Sequence, residues 1–147
     1  PTKVDLVQTL VSRYRQEAET GVAILEQNIA DPLDQLHAYT DHWAKCIGDG
    51  SRPFCVCALL ASELPLLPPE IALEVRAYFK LLSAWLTRAF DKAAKQGVIH
   101  LRRAPEAQAE LFMATVHGAM LSARAYGDAS KFLVVISALF DELKPRH

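Results

Sequence analysis

The sequence predicts an all-α protein, a single bundle of about six helices with no sheet. Three observations carry that prediction. Apolar residues recur every three or four positions along most of the chain, the spacing of one helix face. Proline, glycine and aspartate fall between these stretches at helix-length intervals, where helices start and stop. Only Val98 to Leu101 has any look of a strand. At 147 residues the chain is the size of one domain.

The first helix opens with a Thr2-x-x-Asp5 capping box. Val4, Val7, Val11, Tyr14, Ala18, Val22, Leu25 and Ile29 form its apolar stripe, with Gly21 as a point where it can bend or break. Asp31-Pro32 starts a second helix, an N-cap followed by a proline that gives up no needed N–H. Leu33, Leu36, Tyr39 or Thr40, Trp43 and Ile47 face inward until Gly48-Asp49-Gly50 ends it.

Phe54 to Ala61 is apolar, and the stretch as far as Leu64 carries one charge, Glu63. A helix apolar all round belongs in an interior, so this stretch is expected to be the buried central helix, begun near Ser51-Arg52-Pro53 and stopped by Pro65. A long helix follows from Pro69 to about Gln96, with Ile71, Val75, Tyr78, Phe79, Leu82, Trp85, Leu86, Ala89, Phe90 and Ala93 on its wide apolar face. Gly97 ends it. Pro105 starts the fifth helix, Gly127 ends that one, and Asp128 caps a last helix running to about Leu143.

Composition narrows the partners. The hydrophobic fraction of 51% is high for a lone monomer and favours some apolar surface that another chain covers. Net charge is −1, with no strongly basic stripe of the kind that marks a nucleic-acid surface. No apolar run is long enough for a membrane span, and no signal peptide is visible. Three cysteines cannot close a disulfide framework, which points to a reducing, cytoplasmic setting.

The last two helices suggest that partner. Ala114, Gly118 and Ser122 lie four apart, small residues that let another helix come close. The final helix is apolar on more than one face. The expected contact is a symmetric homodimer, a four-helix interface that includes Gly118, Ser122, Phe132, Val135, Ile136, Leu139 and Phe140.

Three segments together resemble the tetracycline-repressor (TetR) family of bacterial transcriptional regulators. Pro1-Thr2-Lys3-Val4-Asp5-Leu6-Val7 is similar to the phrase after the family's DNA-reading helix. Cys55 to Leu64, ending Ala-Ser-Glu-Leu, is similar to its core helix, and His117-Gly118-Ala119-Met120-Leu121-Ser122-Ala123-Arg124 to its dimer-forming segment. The resemblance implies a TetR-like C-terminal bundle. Residues 1–30 would be the connecting helix after a DNA-binding head that this sequence lacks, and residues 31–147 the ligand-binding and dimerisation core. It further implies a repressor that leaves operator DNA, bound through that head, when a small and largely apolar effector enters the core. No cofactor and no enzyme activity are implied.

The resemblance also makes a pocket between the helices the first candidate site, with Trp43, Phe54, Tyr78, Trp85, Met113 and His117 as aromatic walls, adaptable thioether and polar handles. Each residue read singly is more often an ordinary core residue. A second candidate is a thiol sensor at Cys55, where a helix N-terminus and nearby Arg52 would favour thiolate; the plain alternative is a buried structural cysteine. Cys46 is the more plausible resolving partner, since Cys57 points to another face. A plain helical dimerisation module with no ligand is the remaining alternative. His42 with Cys46, and His37 with Asp41, stand one helical turn apart, but neither pair supplies the three or four ligands of a zinc site. No nucleophile motif such as G-x-S-x-G and no glycine-rich phosphate loop is present. Arg13-Tyr14-Arg15 is read as a solvated face of the first helix, or as a contact to DNA phosphates beside the head, and Lys92, Lys95, Arg102 and Arg103 as solvated surface.

Overall fold

Six helices follow one another in the computed structural model, which describes residues 1–146. They are α1 (Lys3–Asn28), α2 (Pro32–Asp49), α3 (Val56–Ala61), α4 (Pro69–Lys95), α5 (Pro105–Tyr126) and α6 (Ser130–Asp141), with a 3-10 turn at Leu64–Leu66. No strand occurs among the described residues, and Val98 to Leu101 is a loop. The His100 N–H donates to the Leu143 carbonyl at 3.0 Å and pins that loop to the end of α6.

Thr2 and Asp31 cap α1 and α2 as the residues call for, whereas the N-cap of α6 is Ala129, one residue past the expected Asp128. Thr2 Oγ1 accepts from the Asp5 N–H at 3.1 Å, while Asp5 Oδ2 accepts from the Thr2 N–H at 2.8 Å, a reciprocal box. The Thr2 bonds hold the Asp5 carboxyl below its usual pKa. Asp31 Oδ1 accepts from the Leu33 N–H at 2.8 Å. Asp128 Oδ1 accepts from the Ser130 N–H and hydroxyl at 2.9 and 2.7 Å, ordering the entry to α6. Gly97 (φ 73°) and Gly127 (φ 61°) take the left-handed turn that ends α4 and α5, a conformation costly for a residue with a Cβ. α1 runs unbroken through Gly21, where an added Cβ would meet nothing within 4 Å.

The centre of the bundle is α4, not the stretch 54–64. α4 packs against α1, α2, α3 and α5, and buries ten residues from Ile71 to Ala93. Every residue of its expected face is buried except the half-buried Phe79. The supposed central helix shrinks to the six residues of α3, at the edge of the bundle. Its start slips to Val56, with Cys55 as N-cap. Its end comes early because the Ser62 hydroxyl and N–H both turn back to the Leu59 carbonyl, at 2.7 and 3.3 Å. So short a helix has one inward face. Cys55 and Cys57 fill it, while Val56 and Leu59 stay 45% and 46% exposed.

α5 and α6 pack on each other and close the far side. Phe132, Ile136, Leu139 and Phe140 point into the subunit's own core and are buried there. That differs from the expectation that they face a partner. Twelve residues suffice for one helix face to seal the core, and the largest side chains went to it. Gly118 is exposed and Ser122 and Val135 are half-buried. The large apolar side chains left outside on these two helices are Leu111, Leu121, Leu133 and Val134, with Tyr126 at the end of α5.

Candidate functional site: a tyrosine-lined cavity between α1, α2 and α4

Three of the four tyrosines converge on one space. Tyr14 comes from the inner stripe of α1, Tyr39 from α2 and Tyr78 from α4. They line a cavity of about 270 Å³ together with Ala18, Gly21, Val22 and Leu25 of α1, Ala38 and Trp43 of α2, and Leu82 of α4. Small residues, Ala18 and Gly21 against Ala38, stand where large ones would fill the gap. Glu17, His42 and Arg52 complete the lining and are exposed. Arg52 Nη2 pairs with Glu17 Oε2 at 3.1 Å, joining the α2–α3 connection to α1.

The polar atoms around the cavity are mostly engaged. Cys55 Sγ donates to Tyr78 Oη at 3.3 Å. Trp85 Nε1 donates to Gln35 Oε1 at 3.3 Å, and Gln35 Nε2 donates to the Ile29 carbonyl at 2.7 Å. Tyr39 stands edge-on to Trp85, centroids 5.3 Å apart, and Tyr14 leans on Tyr78 at 5.5 Å. Tyr39 Oη is buried and has no hydrogen-bond partner among the described residues. Burial pushes all three phenols above their ordinary pKa, so they are neutral donors and acceptors at physiological pH.

The six residues expected around a pocket divide. Trp43 and Tyr78 line the cavity. Trp85 lies one layer behind, fully buried under Tyr39. Phe54 is outside it, half-buried, with the Arg124 guanidinium 6.0 Å from its ring centroid. Met113 and His117 sit on α5, across α4 from the cavity, His117 against Phe79 at 5.5 Å. Burial lowers the His117 pKa to about 4, and its Nε2 is enclosed without a partner among the described residues.

Tyr14 and Tyr39 were legible only as stripe positions. The signal that marks them is chemical: a tyrosine on the inner face of each of three helices brings hydroxyls where phenylalanine would pack as well. Arg15 is likewise no solvated residue. Its Nε donates to Glu74 Oε2 at 2.6 Å in a half-buried pair that ties α1 to α4. Arg88 Nη2 and Nε bind the two Glu26 oxygens at 2.6 and 3.2 Å lower on the same seam.

Cys55 is fully buried, and Arg52 is engaged with Glu17 rather than with the thiol. Burial pushes Cys57 up to about 12. Among the described residues no group of three or more His, Cys, Asp or Glu gathers as for a metal ion. His42 Nε2 and Cys46 Sγ are 3.7 Å apart, while His37 stacks on Phe140 at 3.9 Å. No helix among the described residues is long and apolar enough to cross a membrane.

Comparison with known proteins gives the architecture a family. Residues 32–139 match the family model described as tetracyclin repressor-like, C-terminal domain. A TetR-family transcriptional regulator from Agrobacterium tumefaciens is similar to the chain at 55% identity, with TM-score 0.95, over 99% of this chain and 76% of that one. A TetR regulatory protein from Rhodobacter sphaeroides (18% identity, TM-score 0.86, 97% and 76% covered) and the reduced form of NemR from E. coli (15%, 0.84, 99% and 77%) share the fold. Comparison with curated proteins gives no significant match. With more than half the chain matched by the family model and a relative this similar over nearly its whole length, the chain belongs to the TetR family of transcriptional regulators, as their C-terminal helical domain.

Proposed function

We propose that this chain is the effector-sensing and dimerising part of a TetR-family repressor. A small, largely apolar ligand enters the cavity between α1, α2 and α4 and shifts α1. In the full regulator α1 would carry the DNA-binding head, so its angle sets the spacing of two heads on operator DNA. The observation that carries this reading is the cavity itself, floored by apolar side chains and bounded on one whole side by α1. A ligand there touches the helix that must move.

A second copy covers the outer face of α5 and α6. Leu111, Thr115, Val134 and Ala138 share an open groove there, beside the small residues Ala114 and Gly118. Leu121 at 56% and Val134 at 66% exposure are the apolar side chains a partner would cover. The wild-type chain is expected to sediment as a dimer at micromolar concentration, and Val134→Glu as a monomer of unchanged helicity.

The thiol reading requires an accessible Cys55, and that side chain is buried. The plain-module reading requires a filled interior, and the cavity argues against it. Trp43 in the cavity wall supplies the test. Titration with a broad set of apolar and aromatic compounds should shift or quench tryptophan fluorescence, and the same compounds should release the full-length regulator from its operator. A set that leaves the emission unchanged sinks the effector reading.

A further inference from the structure

We infer that the cavity is entered by parting α1 from α2, and that the Glu17–Arg52 pair is the latch that holds this mouth shut. The inference rests on the effector reading of the cavity and deepens it, yet its test needs no effector. The lining shows where the mouth is. Its exposed members are Glu17 and Gly21 on α1, His42 on α2 and Arg52 just after α2. Its deep members are Val22, Trp43, Tyr78 and Leu82, none more than 7% exposed. The passage from rim to depth is therefore narrow, and a molecule that reaches those walls has to widen the gap between α1 and α2.

The two seams of α1 are fastened differently. Towards α4 stand two ion pairs, Arg15 Nε on Glu74 Oε2 at 2.6 Å and Arg88 through two nitrogens on both Glu26 oxygens. Towards α2 and the connection after it, the Arg52 Nη2–Glu17 Oε2 bond at 3.1 Å is the sole ion pair or hydrogen bond among the described residues. It is a single contact between two side chains that are each 50% exposed, the kind that water and salt weaken most. It also spans the mouth, since Glu17 stands on one lip and Arg52 on the other. When it breaks, no polar bond ties α1 to α2, while the α4 seam keeps α1 on the bundle. The opening that admits a molecule and the shift of α1 are then one movement.

Acrylamide quenching of Trp43 fluorescence tests this, because acrylamide is small and neutral and Trp43 lies inside the mouth. Arg52→Ala and Glu17→Ala should each raise the quenching constant roughly 1.5- to 5-fold, the factor by which an exposed ion pair can hold a seam closed. The charge swap Glu17→Arg with Arg52→Glu should bring it back towards the wild-type value. High salt should raise it in the wild type and leave Arg52→Ala as it is. Two variants separate a latch from general loosening. Arg88→Ala breaks a pair of similar exposure on the α4 seam and should leave quenching unchanged. In Trp43→Phe the effect of Arg52→Ala should vanish, since the remaining tryptophan, Trp85, is fully buried behind Tyr39. Unchanged quenching in Arg52→Ala overturns the inference. So does an equal rise in Arg88→Ala, or a rise that persists in Trp43→Phe. Each of these leaves the pocket reading to be judged by the compound titration, which can fail in turn while the latch stands.

Discussion

The side of α4 that meets α1 and α2 and the side that meets α5 are built from equally large side chains, yet one is hollow and the other solid. Towards α5 the rings interlock. Phe90 stands edge-on to Phe112 at 5.4 Å, and Phe112 edge-on to Phe140 at 5.9 Å, a ladder that links α4, α5 and α6. Phe90, Phe112, Phe132, Val116 and Met120 are completely buried there. Towards α1 and α2 the rings are tyrosine and tryptophan, their polar ends need partners, and small residues face them. The ion pairs Arg15–Glu74 and Arg88–Glu26 also tie the helices together along that seam. A phenylalanine ring packs without needing a polar partner, whereas a buried tyrosine must also place its hydroxyl. On the proposed function, the solid half is the one that would hold its shape for a partner and the hollow half the one that would respond to a ligand.

Truncation is the most forceful way to break that contrast. Phe112→Ala removes the middle of the ladder and should cost about 3–5 kcal/mol in urea unfolding. Leu82→Ala, which enlarges a space that already exists, should stay near the low end of its class, about 2 kcal/mol. Equal losses would mean that the two halves are packed alike.

Acid should find the solid half next, through His117. Its folded pKa of about 4 lies below the usual value near 6.5. Between those pH values the unfolded chain binds more protons than the folded one, so stability falls as pH drops from about 6.5 to 4 and is flat above. The sum is about 3 kcal/mol. In His117→Gln that share of the acid loss should vanish, which shows as a smaller difference in unfolding free energy between pH 7 and pH 4.5.

Smaller effects sharpen the hollow side. Arg15→Ala breaks the half-buried pair with Glu74 and should cost about 1 kcal/mol, more than Arg52→Ala at the open rim. Parallel urea curves at low and high salt compare the two. Gly21→Ala should stabilise α1 by about 0.5–1 kcal/mol, since nothing lies within 4 Å of the added Cβ. A loss of stability at that position would show that the glycine is there for a reason other than room.

The helices and most of their ends were legible because they rest on contacts within three or four residues. Asp31-Pro32, Pro69, Pro105, Gly97 and Gly127 act on their own turn of backbone, whatever surrounds them. The face of α4 was legible for the same reason, since periodicity alone sets which residues share a side. The rank of α3 was not. Its apolar letters suggested a centre, but Ser62 and Pro65 left it too short to be one. Trp43 and Tyr78 were expected near a pocket and line the cavity, whereas Met113 and His117 lie on the other side of α4, a distinction that no spacing records.

By itself, then, the sequence determined an all-α chain, the residues that cap it, the inward stripe of each helix and the resemblance to its family. Tertiary structure alone decided that α4 is the axis, that Arg15 meets Glu74, that Phe132 and Phe140 turn inward, and that Tyr39 Oη is left without a partner beside a cavity. Helix signals act through a few neighbouring peptide groups and can be read along a line. A cavity is the space that several helices fail to fill, and its size depends on the distances between them, which are fixed only when all the side chains pack at once.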